Sequence, residues 1–228
     1  MRNLFTSDHH IGHTNILKHC AETRPFVSVE HMREAYVDAW NAEVRPEDTV
    51  WYIGDLALKF TFVTPFLAQL NGTKHLLVGN HDVCFKMHPQ QVAQYLQAGF
   101  ASVQRKGALE VGGLRFALCH FPYRVSAESR SADPAIALRQ ERFAHVSTVP
   151  REHGEVALIH GHVHQYWRAR VGAAALPELN MSVDAWAGHP VDEAGLLQLY
   201  QEAEARQEPG QLDFRGVWQP LHQDEVGD

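Results

Sequence analysis

Short apolar runs alternate along the chain with longer stretches whose apolar residues recur at helical spacing. Runs rich in β-branched and aromatic residues predict strands, and a period near 3.6 residues predicts amphipathic helices. The predicted strands lie near residues 2–7, 49–53, 74–78, 101–111, 114–119, 156–160, 166–171 and 175–180. The predicted helices lie near residues 13–21, 29–43, 62–70, 89–98 and 192–206. This alternating order of elements is typical of an α/β fold.

Two of these elements carry sharper local signals. Ser28 is a predicted N-cap of the helix over 29–43, whose residues Met32, Tyr36, Ala39 and Trp40 recur at helical spacing. We interpret those aromatic residues as core. Gly112-Gly113 separates two predicted strands and favours a hairpin turn between them.

Polar residues follow five of the predicted strands directly. Residues i and i+2 of a strand point to the same side. The two side chains of a D-x-H or H-x-H triplet are therefore expected to aim at the same ion. The glycines in these segments indicate tight turns or close backbone approach. The segments are Asp8-His9-His10, Gly54-Asp55, Gly79-Asn80-His81-Asp82, His120 and Gly161-His162-Val163-His164.

The side chains in these segments are ligands that suit a divalent transition metal. Imidazole nitrogens, carboxylates and an amide oxygen form a typical ligand set for such ions. Two Asp, one Asn and four His are too many for one ion and about right for two ions that share a bridge. Paired metals are suited to displacing a leaving group at phosphorus.

The same segments, in the same order, resemble the calcineurin-like metallophosphoesterase family, whose pattern is DxH…GD…GNH[DE]…H…GHxH. The resemblance runs from about Met1 to Val191, and every element of the pattern is present. The opening stretch 5–13 and the later stretch 180–184 are similar to a branch of small, stand-alone bacterial and phage phosphoesterases. The resemblance implies a four-layer α/β/β/α sandwich of two mixed sheets flanked by helices, with a dinuclear metal site at the C-terminal ends of the strands.

The resemblance also implies a role for each residue of the pattern. One metal is expected to bind Asp8, His10 and His164, and the other Asn80, His120 and His162, with Asp55 bridging the two. A hydroxide between the ions attacks phosphorus in line. His81 is expected to face the substrate as the catalytic residue that assists the leaving group. Asp82 is expected to hold a neighbouring backbone group or imidazole in place.

Residues outside the pattern are candidates for substrate contacts. The segment 122–151 lies between two expected metal ligands and is interpreted either as a surface insertion or as a lid that touches substrate, with a helix over 134–145. Tyr123 and Arg124 lie nearest the chemistry in that segment. Arg24 is a candidate for the rim of the site, and His13 is close enough in sequence to reach it.

Composition sets limits on the class of protein and on its partners. With 228 residues, 45% of them hydrophobic and 21% charged, the chain can form one full core, which we assign to 1–206, followed by a partly mobile tail over 207–228. No apolar run reaches the roughly 20 residues of a membrane helix. The first strand follows Met1 directly, so no signal peptide is expected. Three cysteines without a CxxC favour a reducing cytoplasm.

A net charge of −7 and the absence of a Lys/Arg run argue against binding to extended nucleic acid. We therefore expect a phosphodiesterase that acts on small nucleotide-like diesters, with 2′,3′-cyclic nucleotides or nucleic-acid ends as candidate substrates. A phosphomonoesterase or protein phosphatase is an alternative, although GDxxDRG is replaced here by Gly54-Asp55-Leu56-Ala57-Leu58-Lys59. A non-catalytic protein-binding scaffold is a second alternative.

The expected cofactors are two divalent transition-metal ions. The branch that the chain resembles favours manganese, and Zn, Fe, Co and Ni fit the same nitrogen and oxygen ligands. The oligomeric state, the physiological substrate and the native metal are left open by the sequence.

Overall fold

The computed structural model describes residues 1–124, 141–149, 151, 153–172, 176–206, 209–213 and 218–220. The strands are β1 (Asn3–Thr6), β2 (Thr49–Tyr52), β3 (Thr73–Leu77), β4 (Phe100–Gln104), β5 (Lys106–Val111), β6 (Leu114–Cys119), β7 (Ala157–His160), β8 (Ala169–Val171), β9 (Pro177–Asn180), β10 (Val191–Asp192), β11 (Gly210–Leu212) and β12 (Trp218–Pro220). The helices are α1 (Ile16–His19), α2 (Val29–Glu43), α3 (Val63–Leu67), α4 (Pro89–Ala98) and α5 (Glu193–Glu204). A 3₁₀ turn over Phe60–Phe62 leads into α3. Among the described residues, no helix is both long enough and apolar enough to span a membrane.

The first sheet contains mostly parallel strands in the order β10-β1-β2-β3-β4. Leu4 of β1 lies beside Val50 of β2, and Val50 lies beside Lys74 of β3, all in parallel register. Only β10 runs antiparallel, against β1. Because parallel strands end at the same edge of a sheet, the loops after β1, β2 and β3 meet at one edge.

The second sheet has the order β12-β11-β8-β9-β7-β6-β5 and mixes both strand directions. Its central strands β6, β7 and β9 are parallel, so the loops that follow them also share an edge. Ser7 and Ser182 form an isolated parallel bridge between the loops that follow β1 and β9. The C-terminal edges of the two sheets therefore converge, as required for a shared site.

Helix α2 covers one face of the first sheet, as its periodicity predicts. The hydroxyl of Ser28 accepts a hydrogen bond of 3.1 Å from the backbone N–H of His31, so the predicted N-cap is confirmed. Met32, Tyr36 and Trp40 are fully buried among residues of the first sheet, α3 and α4. Burial of large apolar side chains on this face stabilises the helix against the sheet.

A second apolar layer joins the two sheets. Phe5, Ile53 and Leu77 from the first sheet pack in one cluster with Phe116 and other residues of the second. Helix α5 contributes to the same cluster through residues that include Leu196, Leu199 and Tyr200. The protein is therefore α/β with two mixed sheets and helices, consistent with the expected sandwich. A separate helical layer outside the second sheet stays a prediction.

The single strand predicted over 101–111 was wrong, because this segment forms two strands in different sheets. β4 pairs in parallel with β3, whereas β5 pairs antiparallel with β6. The chain crosses between the sheets at Arg105. Continuous β-propensity shows that a segment is extended but does not show which partner each half pairs with. The predicted hairpin at Gly112-Gly113 is confirmed, with positive φ at both glycines.

Two short strands lie beyond residue 206. β11 pairs with β8, and β12 pairs with β11, so both extend the second sheet. The division of the chain into a domain over 1–206 and a tail over 207–228 stays a prediction.

Candidate metal centre and active site

The expected metal ligands lie on loops that use left-handed backbone conformations. The strands end before these residues, so the ligand pairs are not presented by strand alternation, and that expectation was wrong. Non-glycine residues rarely adopt positive φ, and such strain tends to cluster at functional sites. The ligand residues with positive φ are Asp8 (64°), His10 (50°), Asp55 (59°), His162 (75°) and His164 (48°).

One group of potential ligands consists of Asp8, His10, Asp55 and His164. Each offers an atom, and these atoms all lie within 4.8 Å of one another. Nε2 of His10 lies 3.1 Å from Nε2 of His164 and 3.5 Å from Oδ2 of Asp55. Nε2 of His164 lies 3.7 Å from Oδ1 of Asp8. Nitrogen and oxygen atoms thus converge on one small volume.

A second group consists of Asp55, His120 and His162, again with ligand atoms within 4.8 Å of one another. Oδ2 of Asp55 lies 3.3 Å from Nε2 of His120. His162 and His164 therefore belong to different groups. This division differs from the strand-alternation argument, which aimed both side chains at one ion, and agrees with the division that the family resemblance implies. Asp55 belongs to both groups and is the residue that could bridge them.

The unpartnered atoms in these groups fit a metal site. Oδ2 of Asp55, Oδ1 of Asn80 and Nε2 of His120 are buried and make no hydrogen bond of good geometry among the described residues, although the first and the last lie 3.3 Å apart. Buried polar atoms are nearly always paired, so three such atoms together require an explanation. Carboxylate, amide and imidazole donors are also the set that divalent transition metals take. The buried His and Asp groups can therefore bind metal.

Asp82 organises the loops that carry the second group. Its carboxylate accepts hydrogen bonds from the backbone N–H groups of Gly79 at 2.8 Å and of Asp55 and Leu56 at 3.0 Å each. Nδ1 of His120 lies 2.7 Å from the carbonyl oxygen of Ile53. As that carbonyl can only accept, the contact leaves Nε2 of His120 as the atom that faces Asp55.

Asp184 organises the first group, together with Arg24. Oδ2 of Asp184 lies 2.9 Å from Nδ1 of His164, which directs Nε2 of that ring toward His10. Arg24 donates to both carboxylate oxygens of Asp184, at 2.8 and 2.6 Å, and to the carbonyl oxygen of Asp8 at 2.7 Å. This buried ion pair thus connects the backbone of one ligand to the side chain of another. Sequence reasoning did not assign Asp184 a role, and its place in the 180–184 stretch was the only signal.

Two glycines allow the loops to approach the ligands. A Cβ on Gly161 would collide with Oδ2 of Asp8 and Oγ of Ser7, and a Cβ on Gly79 would collide with Oδ1 of Asp55. The close approach lets the backbone N–H of His162 donate to Asp8, at 3.0 and 3.1 Å from its two oxygens. The sequence expectation of close approach at these two glycines is confirmed.

Burial and charge act in opposite directions on the four histidines. Burial lowers the pKa of His162 to about 3 and lowers the pKa of His10 well below its ordinary value. For His120, burial is outweighed by the Asp55 carboxylate, and its pKa rises to about 9. For His164, burial is outweighed by the hydrogen bond to Asp184, and its pKa rises to about 10. The carboxylates of the cluster thus attract positive charge, which bound cations would supply.

His81 lies beside this cluster. Its backbone N–H donates to Oδ1 of Asp55 at 2.7 Å, and its half-buried ring lies 5.0 Å from the ring of His10, between centroids. The ring of His13 is 6.2 Å from that of His81 and 5.5 Å from that of His10. The structure thus groups three imidazoles at the edge of the cluster, and the catalytic role of His81 and the substrate contact by His13 stay predictions.

The expectation of direct substrate contact was wrong for Arg24 and Tyr123. Arg24 is 1% exposed, because its guanidinium is enclosed by Asp184 and backbone carbonyls beneath the site. Tyr123 is 4% exposed and packs in an apolar cluster with Phe121. Neither side chain forms a rim. Arg124 is exposed, and its contact with substrate stays a prediction.

Aromatic rings connect the segment 122–151 to the second group of ligands. Phe143 stacks on Phe121 at 4.7 Å, and both rings lie 5.0 Å from His162, between centroids. The described end of this segment therefore reaches the site. Most of the predicted helix over 134–145 lies outside the described residues.

Comparisons with known proteins find relatives in sequence and a solved structure with a similar fold. No model of a protein family matches this sequence. The chain is 41% identical to uncharacterized protein MJ1445 of Methanocaldococcus jannaschii over 86 residues, which are 36% of this chain and 48% of that protein. It therefore spans about half the length of that relative.

Two further similarities extend over most of the chain. The gene 66 protein of Mycobacterium phage D29 is 27% identical over 202 residues, which cover 80% of this chain and 87% of the phage protein. The crystal structure of AQ665, a protein of unknown function from Aquifex aeolicus, superposes with a TM-score of 0.61 at 25% identity. That superposition covers 87% of this chain and 98% of AQ665, so most of this chain shares its fold with AQ665.

Proposed function

We propose that this protein is a two-metal-dependent phosphoesterase that prefers phosphodiesters, with small nucleotide-like diesters as its substrate class. The carrying observation is the pair of ligand groups that share Asp55, with unpartnered buried atoms on Asp55, Asn80 and His120. A site of this composition would hold two divalent ions, and manganese is the ion we favour. Such ions supply positive charge for phosphate oxygens and an activated water as nucleophile.

The chain's own residues supply the remaining parts of the reaction. His81 lies beside His10 at the edge of the cluster, and in the proposed mechanism its ring donates a proton to the leaving oxygen. Asp82 fixes the loops that present Asp55 and Asn80, and Asp184 fixes the ring of His164. Phe121 and Phe143 pack against one side of the His162 ring.

The preference for a diester rests on the local sequence and on charge. A diester carries one negative charge on phosphorus, so it needs no additional group for a dianionic terminus. The GDxxDRG motif of the protein phosphatase branch is absent after Asp55. A phosphomonoesterase is the second candidate. A non-catalytic scaffold is disfavoured, because every expected metal ligand and His81 are present in the sequence.

The test compares hydrolysis of bis-p-nitrophenyl phosphate with that of p-nitrophenyl phosphate after chelation and re-addition of single metals. We expect metal-dependent cleavage that favours the diester. Dominant cleavage of the monoester would make the phosphatase candidate correct. No cleavage of either compound with any metal would refute the proposed activity.

A further inference from the structure

A cavity lies near the two groups of potential metal ligands, which we refer to together as the metal-capable cluster. It has a volume of about 610 Å³ and is lined by Phe85, Lys86, Arg105, Lys106, His145 and Val146. Its size is within the range of cavities that hold small organic ligands. These residues come from the loop after β3, the crossing between β4 and β5, and the described end of the segment 122–151. We refer to this cavity as the basic cleft.

The basic cleft concentrates positive charge in a protein whose net charge is −7. Within the described part of the chain, no carboxylate forms an ion pair with Lys86, Arg105 or Lys106. Nζ of Lys106 donates to the carbonyl oxygen of Ser147 at 2.6 Å, which fixes one wall of the cleft. The guanidinium of Arg105 lies over the ring of Phe85, 5.4 Å from its centroid. Cations that have no carboxylate partner among the described residues favour an anionic ligand.

One ring separates the basic cleft from the metal-capable cluster. Phe85 at the cleft lies 6.1 Å from Phe121, and Phe121 lies 4.9 Å from His120 and 5.0 Å from His162, between centroids. The backbone N–H of Phe85 also donates to the carbonyl of Asp82 at 2.9 Å. The basic cleft and the metal-capable cluster are therefore neighbours, with the buried ring of Phe121 between them.

We propose that the basic cleft binds a second phosphate of the substrate, at a distance from the phosphorus that reacts. Arg105 and Lys86 are the residues we assign to this phosphate, because guanidinium and ammonium groups form strong charge-assisted hydrogen bonds with phosphate oxygens. The proposal rests on the proposed function, since it takes the reacting phosphate to be at the metal-capable cluster. It narrows the substrate class to compounds with two or more phosphates.

The test measures binding, by calorimetry of the full chain in buffer with Mn²⁺. The probes are thymidine 3′,5′-bisphosphate, thymidine 5′-monophosphate and propane-1,3-diol bisphosphate. We expect the thymidine bisphosphate to bind at least tenfold more tightly than the monophosphate. Equal binding of the two bisphosphates would assign recognition to phosphate alone, and weaker binding of the propanediol compound would add a contribution from the nucleoside. Both results support a second phosphate site.

Two double variants make the test specific. Lys86→Gln with Arg105→Gln is expected to bring the affinity ratio of the thymidine bisphosphate to the monophosphate close to one. Arg45→Gln with Arg115→Gln removes the same charge from exposed positions at the opposite ends of the strands and is expected to retain the ratio. A wild-type ratio near one, or an unchanged ratio in the cleft variant, would overturn the proposal.

Failure of the cleft proposal can be distinguished from failure of the proposed function. Bis-p-nitrophenyl phosphate has no second phosphate, so its hydrolysis reports on the metal-capable cluster alone. Turnover of this diester without a charge-dependent affinity ratio would remove only the cleft proposal. A charge-dependent ratio without turnover would remove the phosphoesterase proposal and would leave the cleft as a phosphate-binding site only.

Discussion

Oδ2 of Asp184 lies 2.9 Å from Nδ1 of His164, so this carboxylate determines which ring nitrogen of His164 faces His10. A carboxylate partner of this kind holds a ligand histidine in one tautomer and orientation. Arg24 in turn fixes Asp184 from the other side. The geometry of the first ligand group therefore depends on two residues outside that group.

Replacement of Asp184 by Asn should weaken metal binding. The amide cannot hold the proton of His164 in the same way, so we expect affinity for Mn²⁺ to fall by about 10–100-fold. Calorimetric titration of metal into the chelated protein measures this change, and Asp38→Asn, on the exposed side of α2, is the control. A folded Asp184→Asn variant with wild-type affinity would show that the carboxylate does not position His164.

Replacement of Arg24 by Ala should reduce stability. The side chains of Arg24 and Asp184 are both fully buried, and removal of one partner leaves an uncompensated buried charge. We expect the free energy of unfolding to fall by about 3–5 kcal/mol. Urea unfolding measures the change, and the partly exposed Arg33→Ala variant should alter stability by less than about 0.5 kcal/mol. Unchanged stability with a raised KM would restore the rim role that the burial of Arg24 excludes.

Replacement of His81 by Ala should separate catalysis from metal binding. Only the backbone N–H of His81 contacts Asp55, so the ligand atoms should remain in place without the ring. We expect kcat for the diester to fall by about 10²–10⁴-fold, the usual contribution of a general acid. Elemental analysis should show the wild-type metal content, and His88→Ala, at an exposed position, should retain activity. Full activity of the His81→Ala variant would remove this residue from the mechanism.

Replacement of Gly161 by Ala should damage the site through a steric clash. The new methyl group would meet Ser7 and Asp8, and a well-packed interior makes such an insertion unfavourable by about 1–3 kcal/mol. Thermal unfolding and metal titration measure the effect. Gly107→Ala is the control, because its nearest neighbour is the end of the flexible Gln104 side chain at 3.1 Å. Equal behaviour of the two variants would contradict the close approach.

The sequence predicted the positions of most elements because their signals are local. The helix predicted over 29–43 is found at Val29–Glu43, with its N-cap at Ser28, since an apolar stripe and a cap depend only on nearby residues. The division between β4 and β5 was missed because sheet membership depends on partners far along the chain. Strand propensity alone does not encode that choice.

The sequence motifs also picked out residues that converge in the structure, but they did not predict the backbone conformation of those residues. Left-handed backbone at Asp8 and His164 has no strong sequence signal, since non-glycine residues adopt it only when the surrounding structure requires it. The prediction that Arg24 lies at the rim of the site was wrong for a related reason. An arginine outside the motif is usually exposed, and its burial follows from Asp184, which lies 160 residues away in the sequence.

The most direct test of the two-metal account is the metal content of the chelated and reconstituted protein, measured by elemental analysis beside an Asp55→Asn variant. Asp55 belongs to both ligand groups, so its loss should affect both ions. The account predicts two manganese ions per wild-type chain and a marked loss of both from the variant. A wild-type chain that binds one ion or none, or a variant that retains two, would contradict it.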